Sequence, residues 1–284
     1  MYPREFDYVA AGSIDEAVAA LSSNPGAKVM SGGMSLIPMM KLRLLSPETV
    51  VDIGGVSGLD QIIDNGDHIL IGALVRHRAV ASSDLLAEHA HALVQAASWT
   101  GDVQVRNRGT LCGALAHADM AADTPAAALA LGAIMVAQGP NGTREIAAAD
   151  FFIDAFTSAL SSDEILVETK LPKRGGGSAY DKLGRRGGHS DYAVAGAAAW
   201  VSMDSGLVAE CSVGLTGVGT KPTQLTEVAD AMRGNGADAA TSAAAHATKG
   251  ITVLEDLYGS EEYKAHLAQV YVRKALEQAI AAAS

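Results

Sequence analysis

The 284-residue sequence has few of the residues that bind metal clusters or nucleic acids. It has only two cysteines, Cys112 and Cys211, and no paired cysteine motif, so the chain cannot by itself ligate an iron–sulfur cluster or a structural zinc ion. Acidic residues outnumber basic residues by 32 to 21, and the net charge of -11 argues against nucleic-acid binding. Sparse cysteine is typical of a reducing compartment, and we expect a cytoplasmic protein.

Several nucleotide-binding and catalytic motifs are absent as well. The sequence contains no GxGxxG motif of Rossmann folds, no P-loop ending in lysine and serine or threonine, and no GxSxG motif of serine hydrolases. The longest apolar stretches, such as residues 193–201, are too short and alanine-rich to span a bilayer, and the first residues show no apolar signal region. With 49% hydrophobic and 19% charged residues, the sequence instead predicts a globular chain with a sizeable core.

Two polar segments that contain glycines are the strongest functional signal. The first, residues 31–38, follows a short strand-like run, and the second, residues 104–125, shows no clean helical or strand period. Glycines at 32 and 33 allow positive φ, so backbone N–H groups can turn outward and bind an anion. We predict that the two segments, at opposite ends of one domain, grip a single elongated anionic ligand. The alternative for the first segment is an ordinary tight turn between a strand and a helix.

The second segment carries several side chains that suit a phosphorylated ligand. Thr110 can donate a hydrogen bond to a phosphate oxygen, and Gly113 allows close backbone approach. Asp123 can accept hydrogen bonds from sugar hydroxyls, or it can instead supply negative charge to the N-terminus of the next helix. His117, Asp119 and Asp123 can also be interpreted as metal ligands, a weaker alternative because hard-metal sites usually have more oxygen ligands.

Local patterns predict most of the secondary structure before residue 174. A capping box at Ser13 predicts a helix, and a regular apolar face predicts one helix over residues 83–99. Thr124, followed by proline, is the expected N-cap of another helix. A Pro-Asn-Gly turn predicts a hairpin over residues 134–147.

A glycine-rich linker at residues 173–178 precedes a region of strands followed by helices. The predicted strands cover residues 180–183, 193–203 and 207–215, and the predicted helices cover residues 224–233, 238–249 and 261–281. This order is typical of an α+β domain. We therefore divide the chain into residues 1–56, 57–174 and 178–284.

These segments together resemble the FAD-binding medium subunit of the molybdenum hydroxylases, a family that includes carbon monoxide dehydrogenase and bacterial xanthine dehydrogenase. The resemblance runs along nearly the whole chain. It rests on residues 6–8, 32–41, 51–53, 104–106, 109–114, 119–125, 180–183, 191–192 and 214–218.

The resemblance implies an α+β fold, with an FAD-binding fold of the vanillyl-alcohol-oxidase (PCMH) type made of two α/β subdomains. A C-terminal α+β domain with a three-stranded antiparallel sheet and helices would follow. The implied partners are a large molybdopterin subunit and a small subunit with two 2Fe–2S clusters, assembled as a dimer of heterotrimers. Electrons would pass from those clusters to FAD and then to an external acceptor. The implied substrates are carbon monoxide, purines or other N-heterocycles.

The resemblance also assigns cofactor-binding residues, and no catalytic residue or metal ligand. Residues 29–36 and 110–114 correspond to the two segments that bind the FAD diphosphate, Leu166 and Lys182 to positions lining the flavin and adenine region, and Tyr192 to a tyrosine beside the flavin ring. The predicted set is Val29, Met30, Ser31, Gly32, Gly33, Met34, Ser35, Leu36, Gly101, Gly109, Thr110, Cys112, Gly113, Ala114, His117, Asp123, Leu166, Lys182, Asp191 and Tyr192.

Three positions depart from the family pattern. Met34 replaces a frequent histidine or glutamine, and Cys112 and Ala114 replace a glycine and an asparagine. The replacements at Cys112 and Ala114 motivate one alternative, a flavin-free assembly or ligand-binding subunit of the same fold. A second alternative is a free-standing FAD oxidase, for which the sequence supplies no substrate-pocket motif.

Overall fold

A computed structural model describes residues 1–187 and 191–283. Three larger sheets and a two-stranded ribbon organise this part of the chain, and each larger sheet defines one unit of the fold. Within the described residues, no helix is both long enough and apolar enough to cross a membrane.

The first unit is a three-stranded parallel sheet with two helices. Its elements are β1 (Asp7–Ala10), α1 (Ile14–Ser23), β2 (Lys28–Met30), α2 (Leu36–Lys41) and β3 (Thr49–Asp52). The strand order is β1–β3–β2. The predicted cap at Ser13 is confirmed, because the N–H of Glu16 donates to Ser13 Oγ at 3.1 Å. The Glu16 carboxylate accepts from the N–H of Gly12 at 2.8 Å, one residue before the position expected in a capping box.

The second unit is a five-stranded antiparallel sheet with helices inserted between its strands. Its elements are β4 (Ile62–Asp64), β5 (His68–Gly72), α3 (His77–Ala81), α4 (Asp84–His89), α5 (His91–Trp99), α6 (Val103–Arg108), α7 (Leu111–His117), α8 (Asp123–Ala130), β6 (Ile134–Gly139), β7 (Gly142–Ala147), α9 (Ala148–Phe151), β8 (Phe152–Asp154), β9 (Thr157–Ser158) and β10 (Ile165–Pro172). The strand order is β4–β5–β10–β6–β7, and the predicted hairpin is β6–β7.

Two helix predictions in this unit are wrong. The single helix expected over residues 83–99 is broken at Ala90, whose φ of -147° and ψ of 47° are not helical. A tertiary contact accompanies the break, since the N–H of Ala92 donates to Ser178 Oγ at 3.1 Å. The helix predicted to be capped by Thr124 begins one residue earlier, at Asp123, and Ala122 is its N-cap.

The third unit is a four-stranded antiparallel sheet followed by helices. Its elements are β11 (Gly177–Gly184), β12 (Ala193–Asp204), β13 (Leu207–Thr216), β14 (Thr223–Gln224), α10 (Thr226–Met232), α11 (Ala240–Ala244) and α12 (Glu261–Ala283). The three predicted strands are confirmed, and the two-residue β14 adds a fourth at the edge. The helix expected over residues 238–249 is shorter, a 3₁₀ turn at Ala237–Ala239 followed by α11.

Strand β12 separates two hydrophobic cores. Ala198 and Trp200 belong to the core of the first two units, whereas Ala197 and Ala199 belong to the core beneath α10–α12. Successive side chains of a strand point to opposite faces, so a strand covered on both faces becomes a continuous apolar run. This arrangement explains the apolar run at residues 193–201, and it packs one face of the third sheet against the second unit. The division at residues 56/57 and 174/178 stays a proposal.

Candidate functional site

A cavity of about 480 Å³ lies where the three units meet. This volume is within the usual range for small-molecule and cofactor sites. The walls come from the end of β2 and the turn after it, from α6 and α7, from β10, and from the segment between β11 and β12. Every predicted site residue except Lys182 lines this cavity. The sequence therefore identified the cavity, while the contact of each residue with a cofactor stays a prediction.

The two glycine-bearing segments lie side by side, not at opposite ends of a domain as the sequence suggested. Ser31 Oγ and Thr110 Oγ1 are 3.0 Å apart. A Cβ atom on Gly32 would lie 2.2 Å from the carbonyl oxygen of Arg108, so only glycine permits this approach. We call the joint surface of residues 31–35 and 109–114 the loop wall. The sequence could not show it, because the contact joins residues 79 positions apart.

The second segment is helical despite its lack of periodicity. It contains α6 and α7, which have six and seven residues and are too short to display a clear period. Thr110 is the N-cap of α7, since its Oγ1 accepts from the N–H of Gly113 at 3.1 Å. A Cβ on Gly113 would lie 2.7 Å from Thr110 Oγ1 and 2.9 Å from Ser31 Oγ, so glycine keeps the surface around both hydroxyls open.

The loop wall presents uncharged hydrogen-bond donors. Within the described residues, none of the backbone N–H groups of residues 32–35 donates to a backbone carbonyl. Gly33 has a φ of +72°, a value that turns successive N–H groups to one side. Lys28 supplies the sole lysine or arginine side chain among the described lining residues. Unpaired N–H groups beside the Ser31 and Thr110 hydroxyls suit a diphosphate, so this wall fits the central part of a dinucleotide such as FAD.

A buried charged network stands behind another part of the cavity. Lys182 Nζ donates to both carboxylate oxygens of Asp123, at 2.7 and 2.8 Å, and the Tyr180 hydroxyl donates to Asp123 Oδ1 at 2.6 Å. Lys182 Nζ also donates to the main-chain carbonyls of Trp99 and Asp191. Protein groups thus surround the ammonium, and Lys182 is not among the residues that line the cavity; its contact with a cofactor stays a prediction. We call Asp123, Tyr180 and Lys182 the inter-unit network.

Burial changes the protonation of this network. It raises the pKa of Asp123 to about 6, and the Lys182 ammonium opposes that rise. Burial also lowers the pKa of Lys182, and the Asp123 carboxylate opposes that fall. We assign the charged pair at neutral pH, because three hydrogen bonds donated to the carboxylate stabilise its ionised form. Asp123 both begins α8 and lines the cavity, so each of its two predicted roles is geometrically available.

Tyr192 lies where the cavity opens to solvent, since it lines the cavity and is 43% exposed. The Arg185 guanidinium carbon is 5.2 Å from the centre of the Tyr192 ring and 4.7 Å from that of Tyr258. His117 packs against Phe156 with 5.1 Å between ring centres, and burial lowers the pKa of His117. Aromatic rings therefore line part of the cavity, and the Arg185 guanidinium lies over one of them.

Cys112 has a packing role. Its Sγ is buried and lies 3.3 Å from Thr169 Oγ1, and burial raises the pKa of the thiol to about 12. A thiol with that pKa is unreactive near neutral pH. The metal interpretation of His117, Asp119 and Asp123 gains no support, because residues 1–187 and 191–283 contain no group of three His, Cys, Asp or Glu arranged to hold a metal ion.

The sequence reasoning missed His77, the first residue of α3. It lines the cavity beside Gly109, where a Cβ would lie 3.1 Å from His77 Cδ2 and 3.6 Å from Nε2. His77 is 2% exposed, and burial lowers its pKa to about 4. A histidine between two arginines, shortly after a predicted strand, was the signal available in the sequence.

Comparison with known proteins gives matches over both halves of the chain. Residues 4–174 match the family described as the FAD binding domain in molybdopterin dehydrogenase, and residues 178–279 match the CO dehydrogenase flavoprotein C-terminal domain. The carbon monoxide dehydrogenase medium chain of Hydrogenophaga pseudoflava is 38% identical over 98% of each chain. The 6-hydroxypseudooxynicotine dehydrogenase complex subunit alpha of Paenarthrobacter nicotinovorans is 35% identical over 99% of this chain and 96% of that protein.

Solved structures show the same fold. A carbon monoxide dehydrogenase from Hydrogenophaga pseudoflava, lacking the Mo-pyranopterin moiety of its molybdenum cofactor, matches with a TM-score of 0.96 and 36% identity over 100% of both chains. Quinoline 2-oxidoreductase from Pseudomonas putida 86 matches with a TM-score of 0.93 and 31% identity over 100% of this chain and 99% of that one. The predicted fold class is confirmed, and the chain belongs to the family of FAD-binding medium subunits of the molybdenum hydroxylases.

Proposed function

We propose that this chain is the electron-transfer subunit of a molybdenum hydroxylase complex. It receives electrons from the 2Fe–2S clusters of a partner subunit and passes them, through FAD, to an external acceptor. The observation that carries the proposal is the loop wall, in which the Ser31 and Thr110 hydroxyls lie 3.0 Å apart beside unpaired backbone N–H groups. That surface lines a cavity of about 480 Å³.

Each part of the cavity has a proposed task in holding FAD. Bound FAD would supply the redox chemistry, and the chain binds, orients and shields it. The loop wall holds the diphosphate, and Asp123 accepts hydrogen bonds from sugar hydroxyls while Lys182 and Tyr180 fix its carboxylate. Leu166, on β10 beside an irregularity in its pairing with β6, provides apolar surface, and Tyr192 covers the flavin ring at the opening.

The chain needs a partner to supply electrons. Both cysteines are buried and free, and their separation in sequence offers no cluster-binding motif. We propose a large molybdopterin subunit and a small 2Fe–2S subunit as partners, arranged as a dimer of heterotrimers in the cytoplasm. The names of the relatives support a multi-subunit complex, since they include a medium chain and a medium subunit.

The large subunit would determine the substrate, and the names of the relatives support one class of substrate among those expected. Their names include nicotine 6-hydroxylase, caffeine dehydrogenase, glyceraldehyde dehydrogenase and carbon monoxide dehydrogenase. Nicotine and caffeine contain nitrogen heterocycles, as does the quinoline named in a matching structure. We therefore propose an N-heterocycle, including the purines, ahead of carbon monoxide.

Spectroscopy and reconstitution test the proposal. The purified chain is expected to bind FAD with a flavin absorbance spectrum, and to show no turnover with carbon monoxide, purines or N-heterocycles. Co-expression with the partner subunits should restore turnover and give a larger assembly by size-exclusion chromatography. A stable assembly of this kind is expected to bury an interface of at least about 1,000 Å².

The alternatives give different results in the same experiment. Turnover by the isolated FAD-loaded chain at the rate of the complex would favour a free-standing oxidase. A colourless chain that does not take up FAD would favour the flavin-free subunit. The flavin-free alternative rested in part on the replacement of a glycine by Cys112. That replacement removes no hydrogen-bonding side chain from the cavity, and the thiol packs against Thr169.

A further inference from the structure

His77 is a buried polar side chain that the proposed function leaves without a task. Within the described residues, its Nδ1 is buried and has no hydrogen-bond partner. Buried polar atoms are hydrogen-bonded in the great majority of native proteins, so each exception needs an explanation. His77 also lines the cavity, so a ligand there can reach the ring through its other nitrogen, Nε2, while Nδ1 has no partner within the described residues.

The backbone fixes His77 against the loop wall. The N–H of His77 donates to the carbonyl of Gly109 at 3.0 Å, and the N–H of Leu111 donates to the carbonyl of Val75 at 3.0 Å. Gly109 therefore lies between His77, which bonds its carbonyl, and Gly32. The approach to Gly32 is close, since a Cβ on Gly32 would lie 2.8 Å from the Cα of Gly109. Gly109, at the start of the second segment, thus separates the His77 imidazole from the first segment at Gly32.

The tautomer of His77 follows from its surroundings. Burial and the nearby positive charge of Arg106 lower its pKa, so the ring is neutral at neutral pH. A neutral imidazole has one N–H donor and one acceptor nitrogen. An orphaned buried N–H is rarer than an under-satisfied acceptor, so we assign the acceptor to the partnerless Nδ1 and the proton to Nε2. His77 then adds another neutral donor beside the hydroxyls of Ser31 and Thr110.

We propose that His77 Nε2–H donates a hydrogen bond to the diphosphate of FAD, as a binding residue that completes the loop wall. The inference rests on FAD being the ligand of this cavity. It also gives the glycine at position 109 a reason, since a Cβ there would lie 3.1 Å from the imidazole and crowd the ring that faces the ligand.

Affinity measurements with two flavins test the proposal in the full chain. Riboflavin lacks both the diphosphate and the adenosine that FAD carries, so the ratio of the two affinities isolates contacts to that part of FAD from contacts to the flavin ring. His77→Phe keeps an aromatic ring and removes both nitrogens. We expect FAD binding to weaken by about tenfold to a hundredfold, the range for a hydrogen bond to a charged group, while riboflavin binding stays unchanged. His77→Gln, which retains an N–H donor, should recover part of the loss.

A control and a spectroscopic readout complete the test. His68→Phe alters another histidine of the second unit, one that bonds Asp67 and Asn65 outside the cavity, and should change neither affinity. In the parent chain, the ¹⁵N shift of His77 Nε2 should move on addition of FAD and not of riboflavin, a result that needs no variant to fold.

The outcomes separate this inference from the proposed function. A parent chain that binds no FAD overturns both. A parent that binds FAD, with a His77→Phe variant whose FAD-to-riboflavin affinity ratio equals that of the parent, overturns the His77 assignment and leaves the function standing. An equal loss for both flavins, or an unshifted Nε2 resonance, indicates a packing role and likewise overturns the assignment.

Discussion

The loop wall and the inter-unit network border the same cavity but are built from opposite chemistry. The loop wall uses hydroxyls and backbone N–H groups that lack backbone partners among the described residues, so those groups remain available to a ligand. The network uses a buried carboxylate and ammonium that satisfy each other with distances of 2.7 and 2.8 Å. Unpaired neutral donors cost little while exposed to a cavity, whereas a buried charge must be paired within the protein. The first region is therefore suited to binding, and the second to holding two units together.

Removing one charge from the network should have the largest effect. Lys182→Met leaves the Asp123 carboxylate buried without its cation, and we expect a loss of about 3–5 kcal/mol in the free energy of unfolding, measured by urea titration. The double variant with Asp123→Leu should recover much of that loss, because no charge is then left unpaired. Lys173→Met breaks a surface pair with Asp64 and serves as the control with little change. A Lys182→Met chain as stable as the parent would show that the network does not hold the units together.

Acid should act with opposite signs on His77, beside the loop wall, and on Asp123 of the inter-unit network. The pKa of His77 falls from 6.5 to about 4 on folding, so the unfolded chain binds more protons and stability falls as pH drops through that range. The shift corresponds to about 3 kcal/mol between pH 7 and pH 4. The pKa of Asp123 rises to about 6, so its contribution to stability has the opposite slope. His77→Phe should therefore lose less stability on acidification than the parent, as followed by unfolding at several pH values. An identical pH profile would contradict the burial of a neutral imidazole.

Forcing the two loops apart should have a smaller effect on stability and a clear effect on binding. Gly32→Ala places a methyl group 2.2 Å from a backbone carbonyl, and we expect a loss of about 1–3 kcal/mol in unfolding free energy together with weaker FAD binding. Gly55→Ala is the matched control, because a Cβ there meets nothing within 4 Å. Calorimetry with FAD measures the binding effect. Unchanged FAD affinity in a folded Gly32→Ala chain would remove the loop wall from the site.

Removing a single hydroxyl should have the smallest effect. Thr110→Val deletes the N-cap of α7 and the partner of Ser31, which should cost about 1 kcal/mol of stability. Ser83→Ala deletes an equivalent cap on α4, outside the cavity lining, and should cost a similar amount without changing FAD affinity. The comparison tests whether the Thr110 hydroxyl binds the ligand in addition to capping the helix. Equal FAD affinities for the two variants would restrict Thr110 to the cap.

The sequence predicted features that depend on neighbouring residues. The helix cap at Ser13, the β6–β7 hairpin and the three long strands of the third unit are encoded within short stretches, and all are present. The strand β12 was recognisable because both of its faces are apolar. Resemblance to a family placed most of the predicted site residues on one cavity, which composition and periodicity alone could not do.

The errors arise where a distant contact decides the local structure. The break at Ala90 accompanies a hydrogen bond to Ser178, a residue 86 positions from Ala92. The pairing of Lys182 with Asp123 spans 59 positions, and no local pattern reveals that the ammonium binds a buried carboxylate. His77 was missed for the same reason, since its position beside Gly109 depends on backbone pairing between segments that are remote in the sequence.

The position of Tyr180 limits how freely the halves of this protein could be exchanged with those of a relative. The two matched families meet between residues 174 and 178, so the boundary looks like a natural point for recombination. Yet Tyr180, which follows that boundary in the sequence, packs in the core of the first two units, and its hydroxyl donates to Asp123. A chimaeric gene joined at this point would inherit a carboxylate from one parent and its hydroxyl and ammonium partners from the other. Such a chimaera keeps the inter-unit network only where both parents carry these residues.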